Sequence, residues 1–371
     1  MILLTPGPTP VPESIRQAMA TETIHHRTPE FEAIFANTRT KLLDIFGMDE
    51  VLMLGSTGTG AMEAAVTNLC KKKLLFVNAG KFGERFGKIA TAFGLGTVEL
   101  KYEWNTPATV ADVEAALKQD SDIDAIAIQI SESAGGLRHP VEAIAKAAKA
   151  LNPEIKIIAD GITAVGVEKI DTTNIDALVA GSQKAFMLPP GLAMIGLSKK
   201  AVEAIEKEPR GYYFNLASEL KSQRKNTTAY TAVTTLIIGL GAVLDQVFAM
   251  GVDTLYSDTI KRHEASQKAL VALGLEIYPA TPALSMSTVY SEQSDAIRKI
   301  LKNKYEINLA GGQDHLKGKI FRINNMGFVK PYEAAWALNA LELTLDELGI
   351  RTFDGTASKV FSQTFYGLGN D

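Results

Sequence analysis

The sequence has 371 residues, of which 46% are hydrophobic, and its formal net charge is −4. This length exceeds what one hydrophobic core usually serves, so we expect one large domain and a smaller companion. Charges of both signs are interspersed, which leaves no basic face for nucleic acid or anionic lipid. Cys70 is the only cysteine, which excludes an intrachain disulfide framework and a thiolate metal cluster and fits a reducing compartment.

The first residues, MILLTPGPTPVP, do not resemble a secretion signal. They have no positively charged region before the apolar residues, and prolines soon interrupt them. No run of 18 uninterrupted apolar residues occurs in the chain, so we expect no membrane-spanning segment. The sequence therefore predicts a soluble, cytoplasmic protein.

A helix is predicted before the first strand, in TPEFEAIFANTRTKLLDIFG (28–47). Thr28 is suited to the N-cap position, Pro29 to the first helical position and Gly47 to the C-terminal end. Apolar residues recur at helical spacing and form one stripe. They are Phe31, Ile34, Phe35, Leu42, Ile45 and Phe46.

From about residue 50, short apolar runs alternate with longer helical patterns, which predicts βαβ units and a mostly parallel sheet. Several runs are apolar throughout, as in strands covered by helices on both faces. The predicted strands are VLML (51–54), LLFV (74–77), TVELKY (97–102), AIAIQI (125–130), KIIA (156–159), ALVA (177–180) and AMIGL (193–197). The intervening helices include VADVEAALKQ, capped by Thr109, and VEAIAKAAKAL, with Pro140 at its first position.

The C-terminal part changes character after residue 230. A long apolar helix (231–250) leads to a second helix that runs to about Leu273. A strand at 320–324 and a helix at 332–348 follow, and we expect this part to form the smaller domain. Residues 351–371 have the weakest pattern, which predicts a loosely packed tail.

Polar residues follow four of the predicted strands. In open α/β sheets, ligands bind outside the carboxyl ends of the strands, where the loops converge. The segments at these ends are GSTGTG (55–60), SES (131–133), Asp160 and GSQK (181–184). They would bring backbone N–H groups, hydroxyls, a carboxylate and an amine to one edge of the sheet.

The segment GSTGTGAMEAA (55–65) is a glycine-rich turn that opens a helix. Its free N–H groups and the positive end of the helix dipole suit a phosphate. The turn lacks the lysine of a Walker loop and the glycine spacing of the dinucleotide fingerprint. A flexible connection would explain the glycines alone, whereas the hydroxyls of Thr57 and Thr59 favour anion binding.

Lys184 stands in GSQKAFMLPPG (181–191), between small residues and bulky apolar ones. We expect a partly dry site there, which lowers the pKa of a lysine. Asp160 alone would be explained as a helix cap or an ion-pair partner. A desolvated lysine, a nearby carboxylate and a phosphate-binding turn together match the needs of pyridoxal phosphate: a Schiff-base amine, a partner for the pyridine nitrogen and a phosphate anchor.

These features resemble the class V aminotransferases of pyridoxal-phosphate (PLP) fold type I, in particular the alanine- or serine-glyoxylate aminotransferase group. The resemblance covers nearly the whole chain. The motifs that carry it are LLTPGP (3–8), HRTPEF (26–31), GSTGTGAMEAA (55–65), NAGKFGERF (78–86), ESAGG (132–136), ADGITAVG (159–166), GSQKAFMLPPG (181–191) and FRINNMG (321–327).

The resemblance implies an α/β fold, the PLP-transferase fold type I. Residues 16–250 would form the large domain, with a mostly parallel seven-stranded sheet between helices. Residues 1–15 and 251–371 would form the smaller α+β domain. The resemblance also implies a homodimer with shared active sites.

Roles for individual residues also follow from the resemblance. Lys184 would form the Schiff base with the cofactor, and Asp160 would pair with its pyridine nitrogen. Phe82 would stack on the ring, and Ser133 would approach the ring hydroxyl. The residues implied to hold the phosphate are Thr57, Gly58, Thr59 and Gln183, with Thr228 and Thr231 reaching the phosphate of the neighbouring subunit.

On the substrate side, Arg322 would clamp the substrate carboxylate, and Gly7 and Ser133 would lie near the substrate. The implied activity is ping-pong transfer of an amino group from a small amino acid, such as alanine or serine, to a 2-oxo acid, such as glyoxylate or pyruvate. The predicted partners are these small molecules and a second copy of the chain, with no nucleic acid and no membrane.

Other functions stay open at this point. A 2-aminoethylphosphonate–pyruvate-type transaminase shares the TPGP and HR-x-PEF patterns. A cysteine desulfurase needs a reactive thiol, whereas Cys70 ends a helical stretch and is interpreted as a buried structural thiol. A Schiff-base aldolase would not need the glycine turn, and a non-enzymatic metabolite-binding relative would not need Lys184. The five histidines have no metal-ligand spacing, so no catalytic metal is expected.

Overall fold

The computed structural model describes residues 1–368. Its strands are β1 (Ile2–Leu4), β2 (Glu50–Leu54), β3 (Lys73–Asn78), β4 (Gly96–Lys101), β5 (Ile123–Gln129), β6 (Ser131–Glu132), β7 (Leu137–Arg138), β8 (Lys156–Asp160), β9 (Ala177–Gly181), β10 (Ala193–Leu197), β11 (Glu276–Ile277), β12 (Met286–Tyr290), β13 (Ile307–Gly311) and β14 (Ile320–Asn324).

Helices make up most of the remaining chain. They are α1 (Glu13–Met19), α2 (Pro29–Phe46), α3 (Gly58–Leu69), α4 (Lys81–Ala92), α5 (Val110–Gln119), α6 (Val141–Leu151), α7 (Lys199–Lys207), α8 (Leu216–Gln223), α9 (Thr234–Met250), α10 (Val252–Ala272), α11 (Ser294–Tyr305), α12 (Pro331–Glu347) and α13 (Thr356–Tyr366). A short 3-10 helix covers Asp314–Leu316.

The larger sheet has seven strands in the order β2-β10-β9-β8-β5-β3-β4. Only β10 is antiparallel to its neighbours, β2 and β9; the other pairs in this sheet are parallel. All seven strands predicted from the sequence are present, each within two residues of its predicted bounds. The mostly parallel seven-stranded sheet is therefore confirmed.

Helices cover both faces of this sheet. Since successive side chains of a strand point to opposite faces, each strand packs against helices on both sides. Along β2, Met53 packs in one buried cluster with Phe35 of α2, whereas Leu52 packs in another with Met62 of α3. This two-sided burial explains why the strands are apolar throughout. Only β4, at the edge of the sheet, alternates between partly buried and exposed residues.

The predicted helix ends are largely confirmed. The Thr28 hydroxyl accepts the N–H of Phe31 at the start of α2, and Gly47 ends that helix with a φ of 59°. Thr109 caps α5 in the same way. One detail was wrong: Pro140 is the N-cap residue of α6, which begins one residue later at Val141.

The smaller sheet has five strands in the order β1-β13-β14-β12-β11. The N-terminal strand β1 pairs in parallel with β13, and the remaining pairs are antiparallel. A separate buried cluster joins this sheet to α10, α11, α12 and α13, with Leu4 as the contribution of β1. The division into domains 16–250 and 1–15 plus 251–371 stays a proposal.

The predicted loose tail was wrong for most of its length, because α13 is a packed helix. Ala357 and Phe361 are fully buried, and Phe365 is partly buried. These residues recur every four positions and form one apolar face against the cluster of the smaller sheet. The last three residues of the predicted tail, 369–371, lie outside the described residues.

Within residues 1–368, no single helix is long and apolar enough to cross a membrane. The helices α9 and α10 are long and apolar enough only when they are taken together, and the chain bends by 84° between them.

Candidate active site

A cavity of about 330 Å³ lies where the parallel strands β2, β5, β8 and β9 end. The loops after these strands bring together residues that are far apart in the sequence, as expected at this edge of an α/β sheet. Eight residues identified from the sequence line the cavity: Thr57, Gly58, Thr59, Phe82, Ser133, Asp160, Gln183 and Lys184. The predicted amine, carboxylate and glycine turn therefore share one site.

Lys184 lies in the loop between β9 and β10 and is partly buried. Its Nζ donates a 2.8 Å hydrogen bond to the carbonyl oxygen of Pro6, and no described residue forms an ion pair with it. Burial and, secondly, the positive charge of Arg322 lower the pKa of Lys184 to about 8, against the opposing effect of Asp160. An amine with this pKa can act as a nucleophile or a base near neutral pH.

Hydrogen bonds hold the Lys184 loop in place. The Ser182 hydroxyl donates to the carbonyl of Pro189 at 2.7 Å, and the Thr9 hydroxyl donates to the carbonyl of Lys184 at 2.7 Å. Gly7 lies against the lysine with a φ of +129°, and a Cβ built there would be 2.2 Å from Nζ. The N-terminal segment therefore covers the lysine closely, and the positive φ at position 7 favours glycine, since a Cβ there would be strained and would displace the lysine side chain.

Asp160 is the last residue of β8, and only 4% of it is exposed. Its Oδ1 accepts the N–H of Ile162 at 2.9 Å, and no described basic side chain forms an ion pair with it. Burial raises the pKa of Asp160 to about 6, while the Ile162 hydrogen bond and the charges of Arg85 and Lys184 act against this rise. A buried carboxylate without a basic partner is costly, so the position suits a ligand that brings a protonated nitrogen.

The glycine turn leads directly into α3, whose N-cap residue is Thr57. The Thr57 side chain makes no capping hydrogen bond, so it does not satisfy the free N–H groups of the first turn. Gly58 packs closely on Ile162: a Cβ there would lie 2.5 Å from the Ile162 Cδ1. Close packing fixes the turn, and the helix N-terminus presents N–H groups suited to an anion.

Two charged residues of the site were not predicted from the sequence, Arg85 and Glu132. Arg85 lies three positions after Phe82 on α4, and its guanidinium carbon is 4.8 Å from the centre of the Phe82 ring. Its Nη1 donates to the hydroxyl of Thr59 at 2.8 Å. The three-residue spacing between Phe82 and Arg85 on one helix face could have indicated this contact. Arg85 places a positive charge beside the glycine turn.

Glu132 is fully buried beside the cavity and accepts only backbone N–H groups. Burial raises its pKa to about 7, against the effect of those hydrogen bonds.

The side-chain oxygen of Gln183 is also buried, and it has no hydrogen-bond partner. It can therefore still accept a hydrogen bond.

Arg322 comes from β14 of the smaller sheet and reaches the same region. Its Nη1 donates to the carbonyl of Ser133, and its Nη2 donates to the carbonyl of Gly311 at 2.7 Å. The Nε has no partner. Burial lowers the pKa of Arg322 to about 10, while the negative charge of Glu132 opposes this shift. The guanidinium is thus held at the edge of the site by two backbone carbonyls.

Thr228 and Thr231 lie outside the Lys184 cavity. They line a small separate cleft with Gly55 and Tyr213, and the Thr228 hydroxyl donates to the carbonyl of Tyr230. Their predicted role concerns a neighbouring subunit, which a single chain does not test. It stays a prediction.

Cys70 also lies outside the cavity. It is fully buried, its Sγ donates to Asp124 at 3.4 Å, and burial raises its pKa. A buried thiol with a raised pKa is unreactive. In the described part of the chain, no three His, Cys, Asp or Glu side chains are placed to hold a metal ion.

Comparisons with known proteins identify the family of the chain. The family profile "Aminotransferase class-V" matches residues 3–326. The chain is 51% identical to an "Uncharacterized aminotransferase" of Helicobacter pylori, over 99% of this chain and 100% of the relative. It is 29% identical to the "Serine--glyoxylate aminotransferase" of Methylorubrum extorquens, over 95% and 93% of the two chains.

Among solved structures, the chain resembles an aspartate aminotransferase of subgroup IV from Thermus thermophilus. The TM-score is 0.87 at 32% identity, and the alignment covers 94% of this chain and 99% of that one. The chain therefore belongs to the class V aminotransferase family and has the PLP-transferase fold type I. Proteins of this family and fold depend in general on pyridoxal phosphate.

Proposed function

We propose that this class V aminotransferase moves the amino group of a small amino acid, such as alanine or serine, to a 2-oxo acid, such as glyoxylate or pyruvate, in a ping-pong reaction. One observation carries the proposal: the amine of Lys184 and the carboxylate of Asp160 line one cavity from neighbouring strand ends, and neither has an ion-pair partner among the described residues. The similarity to a serine–glyoxylate enzyme supports the substrate class.

The residues around the cavity fit pyridoxal phosphate. Asp160 is a buried carboxylate without a basic partner, as the protonated pyridine nitrogen requires. The phosphate would be held by Thr57, Gly58 and Thr59 at the N-terminus of α3, with the side chain of Gln183. Phe82 offers an aromatic face for the ring and Ser133 a hydroxyl.

When bound, pyridoxal phosphate supplies the electron sink that makes the α-proton of an amino acid removable. The amine of Lys184 would take this proton as a base and release it again as an acid, and a pKa of about 8 suits both tasks. General acid–base catalysis of this kind contributes ~10²- to 10⁴-fold. Asp160 would keep the pyridine nitrogen protonated, and Gly7 lets the N-terminal segment lie directly against the amine.

The carboxylate of the amino acid would bind Arg322, assisted by Ser133. A guanidinium recognises a carboxylate through two parallel hydrogen bonds. The two terminal nitrogens of Arg322 each donate to one backbone carbonyl, and the Nε has no partner. Arg322 therefore retains N–H groups that it can offer to a substrate without leaving its place.

A homodimer with shared sites is part of the proposal, in which Thr228 and Thr231 contact the phosphate bound by the partner. An aromatic surface beside their cleft supports this assembly. Tyr212 and Tyr213 are 81% and 51% exposed, and both lie close to the ring of Tyr230. Exposed aromatic clusters are typical of protein interfaces. A cytoplasmic location is likewise proposed.

A panel of donors tests the substrate class. The purified enzyme is supplied with alanine, serine, aspartate or 2-aminoethylphosphonate, together with glyoxylate or pyruvate, and the new amino acid is quantified. We expect alanine or serine to react fastest. Turnover of 2-aminoethylphosphonate alone would assign the enzyme to the phosphonate transaminases, and no turnover with any pair would contradict the proposal.

A further inference from the structure

Glu132 is a buried charge that the proposed chemistry does not use. It ends the short strand β6, which follows β5 at the edge of the cavity, and its side chain is fully buried. No described arginine or lysine forms an ion pair with it. Its hydrogen-bond partners are three backbone N–H groups, those of Phe82, Gly83 and Ala134. A carboxylate that is buried without a cation needs an explanation, and here the explanation lies in the backbone segments that it connects.

On one side, Glu132 holds the start of α4. Its Oε2 accepts the N–H of Phe82 at 3.0 Å and that of Gly83 at 2.8 Å. The N-cap residue Gly80 has no side chain to cap the helix, so Glu132 takes this role from a distant part of the chain. Gly80 permits the approach, because a Cβ there would lie 2.4 Å from the Glu132 carboxyl carbon.

On the other side, Glu132 holds the turn that carries Ser133. Its Oε1 accepts the N–H of Ala134 at 3.0 Å, and its own carbonyl accepts the N–H of Gly136 at 2.9 Å. Ser133, within this turn, lines the cavity, and its carbonyl accepts a hydrogen bond from Arg322. The turn therefore supplies one of the two backbone carbonyls that hold the Arg322 guanidinium, the other being that of Gly311.

We propose that Glu132 is a positioning residue, which fixes the aromatic ring of Phe82 and the Arg322-binding carbonyl of Ser133 relative to each other. The cofactor subsite and the carboxylate subsite then form together, because the two oxygens of one carboxylate hold both. This inference rests on the proposed function, since it gives Phe82 and Arg322 the roles proposed above. The negative charge of Glu132 also favours the charged form of Arg322.

The variant Glu132→Gln keeps the size of the side chain but replaces one acceptor oxygen with a donor. An amide nitrogen cannot accept an N–H, so either Ala134 or the pair Phe82 and Gly83 loses its partner. We expect pyridoxal phosphate to bind the apoprotein at least ~10-fold more weakly, and the KM of the amino donor to rise ~10-fold, since hydrogen bonds to charged groups are the strong ones. Visible circular dichroism of the bound cofactor should also change, because it reports the packing of the ring.

Glu342 on α12 offers a matched control. It is also fully buried and also accepts three backbone N–H groups, those of Asp354, Thr356 and Ala357. It differs in having the Nε of Arg351 at 3.7 Å and in holding α13 instead of the cavity. Glu342→Gln should lower the melting temperature without changing cofactor affinity, KM or circular dichroism.

The inference is wrong if Glu132→Gln keeps the wild-type cofactor affinity and KM, or if Glu342→Gln changes them equally. If Glu132→Gln does not fold, Gly80→Ala tests the same contact, because the added Cβ must displace the Glu132 carboxylate. Wild-type cofactor affinity and KM in Gly80→Ala would also overturn the inference. The proposed function is tested separately: a wild-type protein that binds no pyridoxal phosphate contradicts that proposal before any Glu132 variant is made.

Discussion

Two pairs, each of a partly buried lysine and a buried aspartate, lie at opposite ends of the strands β8 and β9. They differ in whether their charges are satisfied. At the amino end, Lys149 donates to Asp176 at 2.6 Å and to the carbonyl of Ile155 at 2.6 Å. Asp176 also accepts the N–H of Ile157 at 2.8 Å. At the carboxyl end, Lys184 and Asp160 have no ion-pair partner among the described residues.

The difference separates structural charges from those available to a ligand. A buried ion pair whose hydrogen bonds are complete contributes to the fold, and breaking it is destabilising. Burial of a charge without a partner carries a desolvation cost. This cost lowers the pKa of Lys184 to about 8 and raises that of Asp160 to about 6. Such shifts cluster at functional sites. Substitution at the two ends should therefore have opposite consequences for activity and for stability.

The largest expected effect is the loss of turnover in Lys184→Ala. The variant removes the proposed covalent attachment point and the proposed proton-transfer group, so we expect kcat to fall by at least ~10⁴-fold. The matched variant Lys149→Ala should keep its turnover but lose about 3 kcal/mol of unfolding free energy, because it leaves Asp176 buried without a cation. Transaminase assays and urea unfolding measure the two quantities. Equal activity in both variants would remove the distinction.

Asp160→Asn should lower kcat by ~10²-fold or more, because it removes the proposed electrostatic partner of the pyridine nitrogen. The variant should be about as stable as the wild type or more stable, because it also removes a buried, unpaired carboxylate. Asp176→Asn should show the reverse pattern, with a lower melting temperature and normal kcat. A stable Asp160→Asn enzyme with wild-type kcat would contradict the role assigned to this carboxylate.

The pH dependence of stability tests the unpaired charge of Lys184 without any catalytic assay. In cofactor-free protein, the pKa of Lys184 is about 8 when folded and about 10.5 when unfolded. Between these values the unfolded chain binds more protons, so the Lys184 contribution to stability rises with pH across this window. From pH 7 to above pH 10.5, wild type should therefore gain about 3 kcal/mol of stability relative to Lys184→Met. A difference that does not change with pH would show that burial does not shift this pKa.

The smallest predicted effect concerns Arg85, the cation that lies beside the glycine turn. Arg85→Met should weaken pyridoxal phosphate binding to the apoprotein by ~10-fold, because it removes the donor to Thr59 and a positive charge near the phosphate site. Arg210, which pairs with Glu208 away from the cavity, is the control. Arg210→Met should leave this affinity unchanged in the same absorption titration, and an equal loss in both variants would count against a local role.

The elements of the large sheet were predictable from the sequence because their signals are local. Apolar runs mark the strands, and residues such as Thr28 and Gly47 mark helix ends through contacts within a few positions. The position of Asp160 and Lys184 at one edge followed from the rule for parallel strands. The α13 helix was missed, because its buried face of Ala357, Phe361 and Phe365 is short and lies among polar residues.

The parts of the site that could not be predicted depend on contacts between distant segments. Glu132 meets Phe82 across 50 positions, and Arg322 meets Ser133 across 189. No local pattern shows that Arg322 donates to backbone carbonyls, or that Gly7 lies against the amine of Lys184. These contacts require the folded arrangement of both sheets.

The central claim is that Lys184 attaches the cofactor, and the most direct test is chemical trapping. The purified enzyme is incubated with pyridoxal phosphate, reduced with borohydride, digested and mapped by mass spectrometry. The structure predicts one stable pyridoxyl modification, on Lys184 in the peptide that contains GSQKAFMLPPG, and no modification of Lys149. Modification of a different lysine, or of none, would contradict the account.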